Sequence, residues 1–340
     1  MIEQTISIGP LAVRQGAFQP NRLRHKYDIC IGVASWESRA TKAFEVLPSI
    51  PTRWEVWVFD SGDSVRAEAK RLCIRRLEEL RHEEIVIFKL AASLHYDQNF
   101  QIIREHLRES RKEAGRPLDI LIDISCMPKK YILYLMAMSF RNEYVKSIDF
   151  IYSSGSYKQS SDYGNNAPMS WSSGEGDWAS VQVPYLEASN FIPDARGLIV
   201  SLGAEISASV PFIERYEPIQ IAIFSIEDEP TRINISAIKV DRRLLSELEA
   251  LPITQSSSAK LEDAVSVATK SREFCLQRLA MSVTGLAIGS KPHALGLGIA
   301  ALAVSNLESV CHLPSMYAPG DVEATGEVFL YSVEDRFEPR

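Results

Sequence analysis

Two short polar segments carry residue types that could hold an anion. The first is Asp123-Ile124-Ser125-Cys126-Met127-Pro128-Lys129-Lys130, which follows the apolar pair Leu121-Ile122 and runs into a helix-forming stretch. A helix N-terminus offers unpaired N–H groups and partial positive charge, Ser125 adds a hydroxyl, and Lys129 or Lys130 adds a full charge. The second is Gly289-Ser290-Lys291-Pro292-His293. Gly289 would allow close approach to the backbone, Ser290 offers a hydroxyl, and Lys291 offers a charge. Each segment also has a purely structural reading. Asp123 and Ser125 could cap the helix that Pro128 starts, and His293 could be a polar helix-start residue.

Further candidates sit at other strand ends. Glu37 and Arg39 follow the apolar run Ile29–Val33, and Glu205 and Ser207 follow Leu198–Leu202. A carboxylate at such a position could bind a ribose hydroxyl or favour the positive end of the next helix. Asp60 ends the expected strand Trp54–Asp60, where nucleotide-binding folds often place a ribose-binding acid; its counterpart further along is Ser225. Asp123 and Glu37 are the candidate acid/base groups should the protein be an enzyme. Tyr317 could stack on a base or serve packing.

Several chemistries find no pattern. There is no GxxxxGK[ST] loop, no HExxH and no GxSxG, and Gly296 and Gly298 fall inside a predicted helix, where they would allow close packing against a sheet. Asp123, Asp60 and His95 form at best a loose cluster, so no metal and no cofactor is expected. The five cysteines lack CxxC spacing and are odd in number, unlike a disulfide framework. Cys30 and Cys311 read as buried small hydrophobes, while Cys126 lies at a strand end without a nearby histidine to activate it.

Strands alternating with helices must position these groups. Expected strands are Gln4–Ile8, Asp28–Val33, Trp54–Asp60, Ile85–Leu90, Leu118–Ile124 and Ser147–Tyr152, with helices over Ser38–Leu47, Ser64–Leu80, Asp97–Ala114 and from Lys129. In the helix over Ser64–Leu80, Val65, Ala69, Leu72, Cys73, Leu77 and Leu80 share one face, and the arginines and Lys70 read as solvated. After a Ser/Gly/Asn-rich excursion and an edge strand at Val181–Tyr185, the order recurs. Strands are expected at Leu198–Leu202, Ile219–Phe224, Ile233–Val240, Leu286–Ile288, Ser309–Leu313 and Glu327–Val333. Helices are expected over Ser207–Tyr216, Asp241–Leu251 and Leu261–Ser282 and from Ala294.

The landmarks repeat at a nearly constant offset: Glu37 to Ser125 spans 88 positions and Glu205 to Ser290 spans 85. The expected fold is α/β, with two tandem Rossmann-like, doubly wound parallel-sheet lobes related by internal duplication. The expected boundaries are 1–155 for the first lobe, 156–190 for the excursion and 191–340 for the second. A composite site facing a cleft between lobes is expected, with one side differing from the other because Ser225 replaces the acid.

At 340 residues the chain is long enough for two domains of about 150 residues each. Net charge of −7 argues against bulk DNA binding. The start of the sequence shows no charged-then-apolar leader, and no apolar run approaches the roughly 20 residues that span a bilayer. A cytoplasmic protein without a membrane partner is expected.

The segment Asp123-Ile124-Ser125 with Lys129 resembles the ligand loop of CRISPR-associated Rossmann-fold sensors and their fused two-lobe relatives (the CARF and SAVED groups) in bacterial antiviral defence. Ser290 and Lys291 match it in the second lobe, whereas Cys126, Met127 and Pro128 stand where that group often carries glycines. The resemblance implies a sensor or accessory protein that grips nucleotide or cyclic-oligonucleotide phosphates through the Asp123, Ser125 and Lys129 loop and through Ser290 and Lys291, with a defence-system protein as partner. Two alternatives stand beside it. One is an enzyme acting on a nucleotide or phosphorylated metabolite; the other is a non-catalytic subunit of a defence complex.

Overall fold

The computed structural model describes residues 5–24, 26–48, 53–60, 64–80, 85–157, 174–188, 195–202, 206–227, 243–317 and 322–336. The chain forms two compact units, Met1–Ser156 with Asp321–Arg340, and Tyr157–Gly320. Each is a Rossmann-like α/β unit built on its own sheet.

In the first unit the chain order is β1 (Ile6–Ile8), β2 (Leu11–Ala17), β3 (Ile29–Val33), α1 (Lys42–Val46), β4 (Arg53–Phe59), α2 (Ser64–Leu80), β5 (Ile85–Leu90), α3 (Tyr96–Ala114), β6 (Leu118–Asp123), α4 (Lys129–Arg141) and β7 (Val145–Tyr157). A final strand, β14 (Val322–Asp335), returns from the far end of the chain. The sheet order is β1-β2-β14-β7-β6-β3-β4-β5, and β7, β6, β3, β4 and β5 pair in parallel. Buried on both faces, β3 and β6 are nearly continuous apolar runs, as central parallel strands must be. One face packs Ala43, Phe44, Cys73 and Leu77 of α1 and α2 against Cys30, Val56 and Leu121. On the other, α3 and α4 bring Phe100 and Tyr131 together and set Tyr131 against Phe59.

The second unit contains β8 (Gly174–Gln182), β9 (Arg196–Ser201), α5 (Ile206–Tyr216), β10 (Gln220–Ile226), a helix α6 over 243–249, β11 (Thr254–Ala259), α7 (Ala264–Leu276), β12 (Ser282–Ala287), α8 (Lys291–Ala303) and β13 (Leu307–Tyr317). Its order is β11-β10-β9-β12-β13-β8, parallel except for the β13–β8 pair. Numbered from β3 or from β9, both parallel cores read 3-2-1-4-5. The repeated landmarks therefore reflect a repeated topology.

Four expectations need correction. The last strand was expected within a lobe spanning 191–340, yet β14 pairs with β2 and neighbours β7 in the first sheet. β2, not anticipated as a strand, supplies the antiparallel edge that β14 needs. The residues from 174 onward of the expected excursion are not a separate segment, because β8 pairs with β13. In the second unit the strand beside β10 is Thr254–Ala259, whose polar TQSSSA sequence suits a sheet edge; the expected strand at 233–240 lies outside the described residues. The short 3₁₀ turn Ser38–Thr41 and α1 replace one continuous helix.

Candidate functional site

In a 3-2-1-4-5 sheet, ligands bind beyond the carboxyl ends of strands 1 and 4, where neighbouring crossovers go to opposite faces. In the first unit those strands are β3 and β6. Asp123, the last residue of β6, is buried, and its Oδ1 accepts from the Ser125 N–H at 2.8 Å. Ser125 is fully buried, and its hydroxyl accepts from the Ser153 N–H at 2.8 Å. The expected ligand hydroxyl of Ser125 thus braces its loop against β7. The helix that follows is different: its N-cap is Pro128, whose side chain cannot accept from the first turn, so α4 begins without a side-chain cap.

Two lysines open this helix. Lys129 is half-buried. Lys130 is buried, with its Nζ 5.1 Å from the centroid of Tyr96 and 5.3 Å from that of Tyr131, which offsets part of the cost of burying an ammonium. Tyr131 donates to Ser93 O at 2.8 Å and also receives the Asn99 amide, which clasps the loop after β5 through Ala91. Burial raises the Tyr131 phenol, keeping it neutral.

Glu37 and Arg39 form a compact pair beside β3. Arg39 Nε donates to Glu37 Oε2 at 2.6 Å, and the Arg39 side chain is almost wholly buried. Gly155 of β7 lies beneath it; a Cβ there would lie 2.7 Å from Arg39 Nη1 and collide with Val322. Two residues away, and so on the same face of β7, Ser153 Oγ is fully buried without a hydrogen-bond partner among the described residues. Ser35, also buried, accepts from the Glu37 N–H at 3.3 Å and shapes the turn.

Lys70 was read from the sequence as part of a solvated face. It is buried and donates to Phe59 O at the end of β4. The buried stripe of α2 is Lys70, Cys73 and Leu77, whereas Val65 and Leu72, expected inside, are exposed at 78% and 54%. The signal was available: Lys70, Cys73 and Leu77 share helical spacing. Arg71 and Arg76 do face water, each pairing with a glutamate three residues away.

Asp60 is exposed, as is His95, so their expected grouping with buried Asp123 is not a closed ligand set. Among the described residues no group of three or more His, Cys, Asp or Glu is placed to hold a metal. All five cysteines are free; Cys126 is half-buried, and burial pushes the Cys275 thiol up to about 12. Burial also raises the Cys73 thiol, a Ser35 backbone hydrogen bond opposes this, and the nearby charge of Asp123 adds to it.

The equivalent place in the second unit is occupied by the protein itself. Ser290 accepts from the His293 N–H at 3.1 Å, capping α8, and donates to Leu261 O at 2.6 Å. Gly289 is required by β9: its N–H donates to Ser201 O at 2.6 Å, and a Cβ would collide with Ser201 Oγ and lie 3.0 Å from Leu202 O. The close approach is made by a neighbouring strand, so the ligand roles expected of Gly289 and Ser290 are replaced by structural ones. His293 is fully buried, with Nε2 2.7 Å from Lys260 O and Nδ1 3.1 Å from Ser201 Oγ. A carbonyl only accepts, so Nε2 carries a proton, while Nδ1 and the Ser201 hydroxyl share the second hydrogen bond. Lys291 is half-buried at the first position of α8. Gly296 permits close packing of α8 on α7, where a Cβ would collide with Ala264 O, rather than on the sheet as expected. Glu205 lies outside the described residues, as do the side chains of Ser207 and Tyr317.

No protein-family model matches the chain, and no curated protein matches it. Solved structures that align with it include an N-terminal ketoreductase from a macrolactin assembly line, at 10% identity over 87% of this chain and 72% of that one, with a TM-score of 0.22. Another is a functionally unknown protein from Pseudomonas aeruginosa, at 13% identity over 85% and 93% of the two chains, also with a TM-score of 0.22. Likenesses this loose carry no argument about fold or function. The fold rests on the strand order.

Proposed function

We propose that the first unit binds the phosphate of a nucleotide or cyclic oligonucleotide at the start of α4, and that the protein is a sensor or accessory component of a bacterial defence system. The contrast between the two helix starts carries this reading. The α8 start is capped by Ser290, and its loop is packed on β9; the α4 start has only Pro128 as its cap. A phosphate there would meet helix N–H groups and the half-buried Lys129. The buried hydroxyl of Ser153, without a partner among the described residues, lies at the carboxyl edge of the same sheet on the Arg39-facing side of β7, and an unsatisfied buried hydroxyl costs about 1–3 kcal/mol unless something satisfies it. The defence setting rests on the resemblance of the Asp123–Lys129 loop.

Binding is favoured over catalysis by the state of the two candidate acid/base groups. Glu37 is engaged by Arg39 at 2.6 Å, and Asp123 is buried and holds the Ser125 N–H. Both groups organise the loops. Calorimetry with ADP and pyrophosphate tests the reading: Lys129→Ala should weaken binding about tenfold or more, whereas Lys291→Ala should leave it unchanged. Equal losses from both variants, or none from Lys129→Ala, would remove the α4 assignment.

A further inference from the structure

We infer that the ligand at the first unit's strand edge is a nucleoside phosphate whose base stacks on Trp36. The inference rests on the phosphate-binding reading and adds the part of the ligand that it leaves open. Trp36 follows β3 after two residues and directly precedes Glu37. The unit's other tryptophans, Trp54 and Trp57, are core residues at 1% and 0% exposure, whereas Trp36 is half-buried. No other described aromatic ring stacks on it. Its ring neighbours are cations: the Arg66 guanidinium lies 5.2 Å and the Lys70 Nζ 5.8 Å from the indole centroid.

Arg66 and Lys70 lie one turn apart on α2, so both reach the indole from that helix. Lys70 is also tied to Phe59 O, which places the indole beside the ends of β3 and β4. The phosphate position lies at the ends of β3 and β6. The two places flank the carboxyl end of β3, the indole on the α2 side of the sheet and the phosphate on the α4 side, and a ribose would bridge a bound phosphate and a stacked base. Every base has a π-face, so the platform tolerates different bases and rewards the presence of one.

A mononucleotide and a cyclic oligonucleotide share this base–ribose–phosphate chemistry, and separate titrations with ADP, cyclic tetra-adenylate and pyrophosphate distinguish them. Each is followed by calorimetry and intrinsic fluorescence on the full chain, with Trp36→Ala, Trp36→Phe and Lys129→Ala as variants. The expected result is that at least one nucleotide binds more tightly than pyrophosphate and quenches fluorescence. Trp36→Ala should weaken that nucleotide about tenfold without changing pyrophosphate binding, Trp36→Phe should retain most of the affinity, and Lys129→Ala should weaken both. Retained pyrophosphate binding also reports that Trp36→Ala is folded. If nucleotide and pyrophosphate bind equally and Trp36→Ala alters neither, the stacking platform is refuted while the phosphate site stands. If neither pyrophosphate nor any nucleotide binds the parent protein, both are refuted.

Discussion

Glu55 lies wholly buried on β4 with both carboxylate oxygens engaged. His106 Nε2 is 2.9 Å from each, Arg53 Nη2 is 2.6 Å from one, and the Trp57 indole donates to the other at 3.0 Å. Burial alone would raise this carboxyl, but the His106 hydrogen bonds and charge, with Trp57 and Arg53, outweigh it and hold the group below its ordinary range. A folded-state value below the unfolded one stabilises the protein above the unfolded pKa, and that contribution is lost as pH falls through the folded value. Acid unfolding should therefore become easier across and below the usual glutamate range, and Glu55→Gln should flatten this part of the stability–pH curve. His106→Ala leaves the buried carboxylate without its main partner and should cost about 3 kcal/mol in urea unfolding at neutral pH. A loss below about 0.5 kcal/mol would show that the network contributes little. None of this was legible from residue types: Glu55 alternates with apolar neighbours in a strand, but its histidine partner is 51 positions away. By contrast, Asp123, Ser125, Glu37 and Arg39 were legible as special because polar residues crowd the end of an apolar strand. Their division between bracing and binding was not, since it depends on the Ser153 N–H and the Glu37–Arg39 geometry.

At the scale of elements, two glycines set how closely helices and strands approach. Gly289 lets β12 end against Ser201 of β9, and Gly296 lets α8 cross α7 against the backbone of Ala264 and Ala268. Either glycine changed to alanine forces backbone to move, and each should cost about 1–3 kcal/mol in chemical unfolding; an unchanged midpoint for Gly296→Ala would contradict the close α7–α8 contact. The parallel central strands were readable because they are buried on both faces and carry long apolar runs. Two less apolar strands were not: edge strand β11 reads TQSSSA, and β2 carries Arg14 and Gln15, so neither shows the continuous hydrophobic run of a strand buried on both faces. Helix α2 misled for another reason: charged and apolar residues alternate so densely along it that two stripes fit, and only packing on Trp36 and Phe59 chooses the one containing Lys70.

For the whole molecule, the chain leaves the first unit at β7, builds the second, and returns as β14. That strand lies inside the first sheet, between β2 and β7. Arg24 joins it to the core by pairing with Glu334 at 2.6 Å and with buried Asp149 at 3.4 Å, where Tyr27 also donates. Ending the chain at residue 320 should therefore destabilise the first unit, seen as loss of its cooperative unfolding transition, although the deleted residues are distant in sequence from the candidate site. Retention of that transition would contradict the sheet order. Sequence periodicity gave both units and their shared helix–strand order, but strand pairing between distant segments leaves no local trace, so the return of β14 could not be read from it. No helix among the described residues is long and apolar enough to cross a membrane. The repeated topology carries one strand-4 helix start without a side-chain cap and one capped by Ser290, and the proposed function places its single phosphate site at the first. The most direct test is calorimetric titration of the full chain with ADP, cyclic tetra-adenylate and pyrophosphate, alongside Lys129→Ala and Lys291→Ala. The account predicts one site per chain, lost or weakened about tenfold in Lys129→Ala and retained in Lys291→Ala; two equivalent sites, or binding insensitive to Lys129, would contradict it.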